Sequence, residues 1–151
     1  MTTNTIRCLH CGRTNRVPPA GTSPPRCGRC RNPLPWIVDA GDDDFAEVAE
    51  KPSMFVVVDM WAPWCPPRRA VSPAPERLAA EMAGRVKLVK VNVEAAEGLV
   101  RRFRVQAAPT LLLMHDGELV AEQRGGAATV EVLRKWVDDA IAKITNTGAS
   151  V

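Results

Sequence analysis

The chain has 151 residues, of which 46% are hydrophobic and 25% are charged, which suits one domain of ordinary size with or without a small module. A membrane span requires about 18 consecutive apolar residues, and no apolar run in this chain approaches that length. A formal net charge of +3 does not by itself indicate nucleic-acid binding. The first ten residues lack the apolar stretch of a secretory signal, so we expect a cytoplasmic protein.

Charge and proline are distributed unevenly along the chain. Residues 1–36 contain six arginines, no acidic residue and six of the 13 prolines. Such a segment has too little apolar surface to fold on hydrophobic burial alone and needs a cross-link. We therefore divide the chain into an N-terminal module (1–35), a larger domain (36–144) and a flexible tail (145–151).

Four of the five cysteines lie in the N-terminal module as two Cys-x-x-Cys pairs separated by 15 residues. This spacing is typical of zinc ribbons, in which two tight turns present four thiolates to one tetrahedral Zn²⁺. Redox disulfides or unpaired thiols are the alternatives. Gly12 and Gly28 are expected to permit the turns, and metal removal is expected to unfold residues 1–35 and leave the larger domain folded. The predicted ligands of one structural zinc ion are Cys8, Cys11, Cys27 and Cys30.

Beyond residue 36 the hydrophobic pattern predicts alternating strands and helices. The run at 54–61 is continuously apolar and rich in β-branched residues, as expected of a strand buried on both faces. Asp116-Gly117 is a type I′ hairpin signal, and Thr129 is a suitable N-cap for the last helix. The predicted strands cover 36–38, 54–61, 86–93, 110–115 and a segment from 118; the predicted helices cover 42–50, a segment ending near 83, 97–103 and 130–144.

The order of these elements predicts an α/β fold. Strands that are joined through helices are expected to lie parallel, and the final hairpin adds an antiparallel edge. The fold class is therefore a mixed sheet flanked by helices, preceded by a small zinc-ribbon module.

Cys65 stands alone in the run WAPWCPPR (residues 61–68), directly after a buried strand and at the start of a helix. The N–H groups at a helix N-terminus stabilise a thiolate and so raise the reactive fraction of a cysteine. Arg68 and Arg69 would act in the same direction. Cys65 is therefore a candidate nucleophile, with an inert buried cysteine as the alternative.

Asp59 is an acidic residue inside the predicted buried strand. A charged carboxylate there costs on the order of several kcal/mol unless it is neutral or paired, and perturbed acids near clefts are functional candidates. The alternative is a structural salt bridge to Lys90. Pro109, likewise, is either a site residue or an ordinary loop proline before a strand.

Taken together, these motifs resemble the thioredoxin family over roughly residues 36–144. The similarity rests on the strand followed by Trp-Ala-x-Trp-Cys, on Pro67, on Ala108-Pro109-Thr110 and on the Asp116-Gly117 hairpin. With the cysteine quartet in front, the chain resembles the thioredoxin 2-type branch. The resemblance implies that the Ala108–Pro109 bond is cis. It also implies a catalytic set and a substrate groove: Cys65 as the attacking thiol with Asp59 and Lys90 behind it, and Trp61, Trp64, Pro67, Ala108 and Pro109 along the groove.

The family's Trp-Cys-Gly-Pro-Cys motif is altered in this chain. Pro66 stands at the glycine position, and Arg68 stands at the position of the second, resolving cysteine. In the family's reaction the first thiolate attacks a substrate disulfide and the second thiol cleaves the mixed disulfide. The local nucleophile for that second step is therefore missing.

The leading prediction is thiol–disulfide exchange on protein substrates by Cys65 alone, either impaired or completed by an external thiol. The alternatives are a non-enzymatic peptide-binding or holdase module, and a redox sensor in which a ribbon cysteine resolves the adduct. The expected partners are protein disulfides and a thioredoxin reductase or small-molecule thiol. We expect a monomer that binds neither nucleic acid nor membranes.

Overall fold

The computed structural model describes residues 4–21, 23–62, 74–106, 108–124 and 129–148, which form a two-stranded and a five-stranded sheet with helices. Within these ranges no helix combines the length and the apolar character needed to cross a membrane. The strands are β1 (Asn4–Arg7), β2 (Thr14–Val17), β3 (Trp36–Ala40), β4 (Phe55–Trp61), β5 (Val86–Asn92), β6 (Thr110–His115) and β7 (Glu118–Arg124). The helical segments are a π-helix (Ala46–Glu50), α1 (Ala74–Glu81), a 3₁₀ turn (Val93–Ala95), α2 (Glu97–Arg102) and α3 (Val130–Gly148).

The five-stranded sheet has the order β3-β5-β4-β6-β7. Strands β3, β4 and β5 are parallel, whereas β6 and β7 run antiparallel to their neighbours. The apolar side chains of β4 are buried on both faces, because this strand lies in the middle of the sheet. The predicted fold class, a mixed sheet flanked by helices, is confirmed.

Strand β6 runs opposite to the predicted direction. It follows a helix and was expected to be parallel, but it pairs antiparallel with β4. Helix α2 has six residues and is about 9 Å long at 1.5 Å per residue, whereas a seven-residue strand spans about 23 Å. Since β6 pairs antiparallel with β4, it starts at the end of the sheet where β5 stops, and the connection does not cross the length of the sheet.

The hairpin between β6 and β7 agrees with the sequence. Asp116 has φ 51° and Gly117 has φ 80°, and two consecutive positive φ values are the signature of a type I′ turn.

The helix predicted at 42–50 is shorter in the structure, where residues 42–44 form a turn and Ala46–Glu50 form a π-helix. Asp44 accepts a hydrogen bond from the N–H of Gly41. Asp42 accepts hydrogen bonds from the N–H groups of Gly98 and Leu99, at 3.0 and 2.9 Å. These are among the N–H groups that a helix leaves unpaired at its start, so Asp42 caps α2 from a distant part of the chain.

The ends of the other helices also differ in part from the prediction. Helix α1 ends at Glu81 instead of near residue 83. The N-cap of α3 is confirmed, since Thr129 Oγ1 accepts a hydrogen bond from the N–H of Val132 at 3.2 Å. Helix α3 continues to Gly148, so residues 145–148 of the proposed tail are helical, and 149–151 lie outside the described residues.

The two faces of the large sheet carry separate apolar clusters. Helices α1 and α3 cover one face. On the other face the cluster includes residues of the π-helix and α2, and it continues into the N-terminal segment through Cys8, Val17, Cys27 and Leu34. Trp36 joins the two parts by donating from Nε1 to the carbonyl of Pro18 at 2.7 Å. The N-terminal segment therefore shares its core with the sheet.

Candidate functional site

The four N-terminal cysteines form a compact sulfur cluster. Their Sγ atoms all lie within 4.8 Å of one another, and the Cys8–Cys30 and Cys11–Cys27 Sγ distances are both 3.5 Å. A tetrahedral zinc ion with Zn–S bonds of about 2.3 Å separates its sulfurs by about 3.8 Å. The donor set and its dimensions therefore fit one metal ion of the zinc type.

Two similar turns position these sulfurs. The N–H of Gly12 donates to the carbonyl of Cys8, and the N–H of Arg31 donates to the carbonyl of Cys27, both at 3.0 Å. The left-handed position that follows each pair is held by Gly12 (φ 80°) and by Arg31 (φ 68°). The expectation for Gly12 is thus confirmed. Gly28, however, does not provide the second left-handed residue; its N–H instead donates to Asn15 Oδ1 at 3.0 Å.

Hydrogen bonds favour the thiolate form at two of the four sulfurs, those of Cys27 and Cys30. At Cys11 a backbone N–H of Arg13 lowers the pKa, but burial and the neighbouring cysteine sulfurs raise it to about 11. Backbone N–H groups of Cys30 and Arg29, with the side chain of Asn15, lower the pKa of Cys27 against the opposing effect of burial. The backbone and side chain of Asn32 lower the pKa of Cys30. Both asparagines were missed in the sequence, although each lies within four residues of a ligand cysteine.

The second candidate site surrounds Asp59 in β4. This residue is directly opposite Lys90 of β5 in the parallel register, and it is only 7% exposed. Burial raises the pKa of Asp59 to about 6, the charge of Lys90 opposes that rise, and the charge of Glu76 adds to it. The Asp59 carboxyl therefore stays protonated at pH values at which an ordinary aspartate is ionised.

The alternative interpretation of Asp59 was a structural salt bridge to Lys90, but Lys90 pairs with another carboxylate. Lys90 Nζ lies 2.6 Å from Oε1 of Glu76, and within the described ranges no ion pair joins Lys90 to Asp59. Glu76 belongs to the first turn of α1 and was missed in the sequence. No local sequence pattern indicates its role, because its partner Lys90 lies 14 residues further along the chain on another element.

Those predicted groove residues that the structure describes lie at the carboxyl end of β4. Trp61 ends this strand, and its ring centroid is 6.0 Å from Lys90 Nζ. Thr110 is the register partner of Met60, so Ala108 and Pro109, which precede Thr110, reach the same end of the sheet. The Ala108–Pro109 bond is cis, as predicted.

Four predicted site residues, Trp64, Cys65, Pro67 and Arg68, lie outside the described residues, as does Pro66. The described chain ends at Ala62 on one side of them and resumes at Ala74, the start of α1. This segment thus connects Trp61 with the helix that carries Glu76.

Comparison with known proteins assigns the larger domain. Residues 36–139 match the family model for thioredoxin. The chain belongs to the thioredoxin family.

Individual thioredoxins support this assignment. A thioredoxin of Haemophilus influenzae is 39% identical over 89 residues, covering 59% of this chain and 83% of that protein. Thioredoxin C-2 of Corynebacterium nephridii is 45% identical over 94 residues, covering 60% of this chain and 84% of that protein. Thioredoxin C-3 of the same organism is 32% identical over 136 residues, covering 88% of this chain and 92% of that protein. This last similarity is too long to be confined to the thioredoxin domain, so it includes part of the N-terminal module.

Membership in the thioredoxin family supports thiol–disulfide oxidoreductase chemistry. The matched range contains one cysteine, Cys65, whereas the metal-compatible cluster lies before it in the sequence.

Proposed function

We propose that this protein exchanges disulfides with protein substrates through Cys65 alone and has no resolving cysteine. The observation that carries the proposal is that the thioredoxin-matched range contains a single cysteine, with Arg68 at the resolving position. The raised pKa of Asp59, at the carboxyl end of the strand that leads to Cys65, supports it.

The proposed reaction has an intermolecular second half. The Cys65 thiolate attacks a substrate disulfide, which forms a mixed disulfide and releases one substrate thiolate that takes up a proton. A small-molecule thiol then loses its proton, attacks the Cys65 sulfur and releases the second substrate thiol. A second small thiol frees Cys65, so two small thiols become one small disulfide and the substrate disulfide becomes two thiols.

Asp59 is proposed as the group that takes the proton from the incoming small thiol. Its buried carboxylate has a pKa of about 6, which places it between a fully ionised surface acid and a permanently neutral one. Lys90, its register neighbour, provides a positive charge that prevents a further rise of that pKa.

The substrate groove is proposed to be bordered by Trp61, Trp64, Pro67, Ala108 and Pro109. Support comes from the described members, since Trp61 and the Ala108–Pro109 bond lie at one end of the sheet. An extended peptide bound there would present its disulfide to the segment that contains Cys65.

The N-terminal cluster is proposed to hold one structural zinc ion through Cys8, Cys11, Cys27 and Cys30. Four thiolates of this geometry suit zinc better than a hard cation. Metal-bound thiolates and an odd number of cysteines suit a reducing compartment, so we propose that the protein is cytoplasmic. A thioredoxin reductase or a small thiol would supply the electrons, and the working unit is proposed to be a monomer.

The test compares the natural chain with R68C, using C65S as the inactive control. Each full-length, zinc-loaded protein is incubated with a disulfide-bonded protein, first without and then with a small thiol. We expect the natural chain to accumulate a covalent complex without the thiol and to turn over with it. R68C should release its substrate unaided, since an intramolecular thiol can reach an effective concentration of about 10⁵ M or more.

Two outcomes would contradict the proposal. Equal multiple-turnover rates of the natural chain and R68C without added thiol would mean that another group, such as a ribbon cysteine, resolves the adduct. Suppression of substrate aggregation that is equal in the natural chain and C65S, with no thiol-dependent turnover in either, would favour the non-enzymatic holdase.

A further inference from the structure

Glu76 places a second carboxylate beside Asp59. It lies in the first turn of α1, and its Oε1 is 2.6 Å from Lys90 Nζ. The side chains of Lys90 and Glu76 are 30% and 21% exposed, so the pair is largely shielded from solvent. Oε2 of Glu76 is buried and has no hydrogen-bond partner among the described residues. The carboxylate is thus held at this place by Lys90.

Lys90 has two carboxylates near it, those of Asp59 and Glu76. Neighbouring strands are about 4.8 Å apart, and direct register partners on parallel strands project to the same face. The Lys90 side chain is therefore long enough to reach either Asp59 or Glu76. In the structure it pairs with Glu76.

We propose that Glu76 is a positioning residue that holds the Lys90 ammonium on α1 and thereby leaves the Asp59 carboxylate free to exchange a proton. The inference rests on the proposed function, in which Asp59 accepts the proton of the incoming thiol. With Glu76 in place, the positive charge that would keep Asp59 ionised is shared with a second negative charge.

The charges around Asp59 support this arrangement. Among the described residues, Lys90 on β5 and Glu76 on α1 are the charged groups that act on it, and they act in opposite directions. Its register partner on β6 is the apolar Leu111. Removing the negative charge of Glu76 leaves Lys90 to act on Asp59 alone, and an opposite charge within about 4–6 Å lowers a carboxyl pKa by about 1–3.

The first experiment measures the pKa of Asp59 directly by ¹³C NMR of its carboxyl group in the full-length zinc-loaded protein. We expect E76Q to lower this pKa by about one or more, and E76D to restore part of the natural value. E81Q is the matched control: Glu81 is on the same helix and pairs with Arg134 at 3.0 Å, so this variant should leave Asp59 unchanged. An unchanged pKa in folded E76Q would overturn the proposal.

A second comparison separates positioning from direct repulsion between the two acids. In a K90M background the effect of E76Q on Asp59 should shrink to less than half, because the lysine that Glu76 positions is gone. An effect of the same size with and without Lys90 would overturn the positioning role.

The functional readout is the pH profile of mixed-disulfide release by a small thiol. Its acid limb should move down in E76Q by the same amount as the pKa of Asp59, and the release rate at neutral pH should fall because Asp59 is a weaker base. If the pKa moves and the release profile does not, the proton-accepting role of Asp59 in the proposed function is wrong, whereas the positioning by Glu76 stands.

Discussion

Lys87 is a buried cation that links the N-terminal segment to the sheet. Lys87 is 0% exposed. Its ammonium donates to the carbonyl of Pro19 at 2.7 Å and to that of Val48 at 2.6 Å. The same Nζ lies 4.0 Å from the centroid of the Trp36 ring. No carboxylate among the described residues pairs with it, so these neutral groups stabilise the charge.

Replacing Lys87 with methionine keeps most of the buried volume and removes the donor. Each buried carbonyl left unpaired costs about 1–3 kcal/mol, and the lost cation–π contact costs about 1–2 kcal/mol. The relieved burial of the ammonium offsets part of this loss, since burial lowers the pKa of Lys87 to about 8. We expect K87M to lose about 2–3 kcal/mol of unfolding free energy, which corresponds to a fall in Tm of roughly 5–10 °C for a chain of this length.

The assay is urea denaturation of zinc-loaded protein, followed by far-UV circular dichroism and checked by thermal melting. K135M is the matched control, because Lys135 pairs with Asp139 on an exposed helix surface and such pairs contribute about 0–1 kcal/mol. A loss below about 1 kcal/mol in K87M, or equal losses in the two variants, would refute the structural role of the buried ammonium.

Three further measurements test other contacts. C27S should bind well under one equivalent of zinc by metal analysis. The midpoint of unfolding of the whole chain should also fall, because the module shares its core with the sheet. A sheet that unfolds at an unchanged midpoint would contradict the shared core. The folded pKa of Asp59 is about 6 and the ordinary value is 3.8, so the natural chain loses stability as pH rises through that interval. D59N avoids this loss. It should be more stable than the natural chain by up to about 3 kcal/mol at pH 7, with no gain below about pH 4. Urea denaturation across pH 4–7.5 measures this, and equal stabilities at pH 7 would contradict it. T129A should lose about 1 kcal/mol and T129S much less, because the hydroxyl caps α3; a thermal melt in which both lose equally would argue against the cap.

The structure alters the unfolding behaviour that we expect when the metal is removed. The composition of residues 1–36 predicts a separate module that unfolds alone. In the structure Val17 and Leu34 are buried in the cluster that covers one face of the sheet, and Lys87 binds a carbonyl from each part. Shared burial couples the two parts, so we now expect a cooperative response.

The sequence by itself determined the features that depend on local pattern. A continuous apolar run marks β4 because a central strand is buried on both faces, and two positive-φ positions mark the β6–β7 turn through Asp116-Gly117. The spacing of the cysteine pairs predicted a cluster that the structure confirms. Each of these signals is contained within a short stretch, where side-chain periodicity or backbone geometry restricts the choice of residue.

Only the tertiary structure decided which distant groups meet. The direction of β6 depends on the length and path of the connection before it, and Asp42 caps a helix more than fifty residues away. Lys90 pairs with Glu76 because α1 packs on the face of the sheet from which both Lys90 and Asp59 project. Such pairings arise from the packing of separately formed elements, and the sequence around one residue does not indicate which distant residue it will contact.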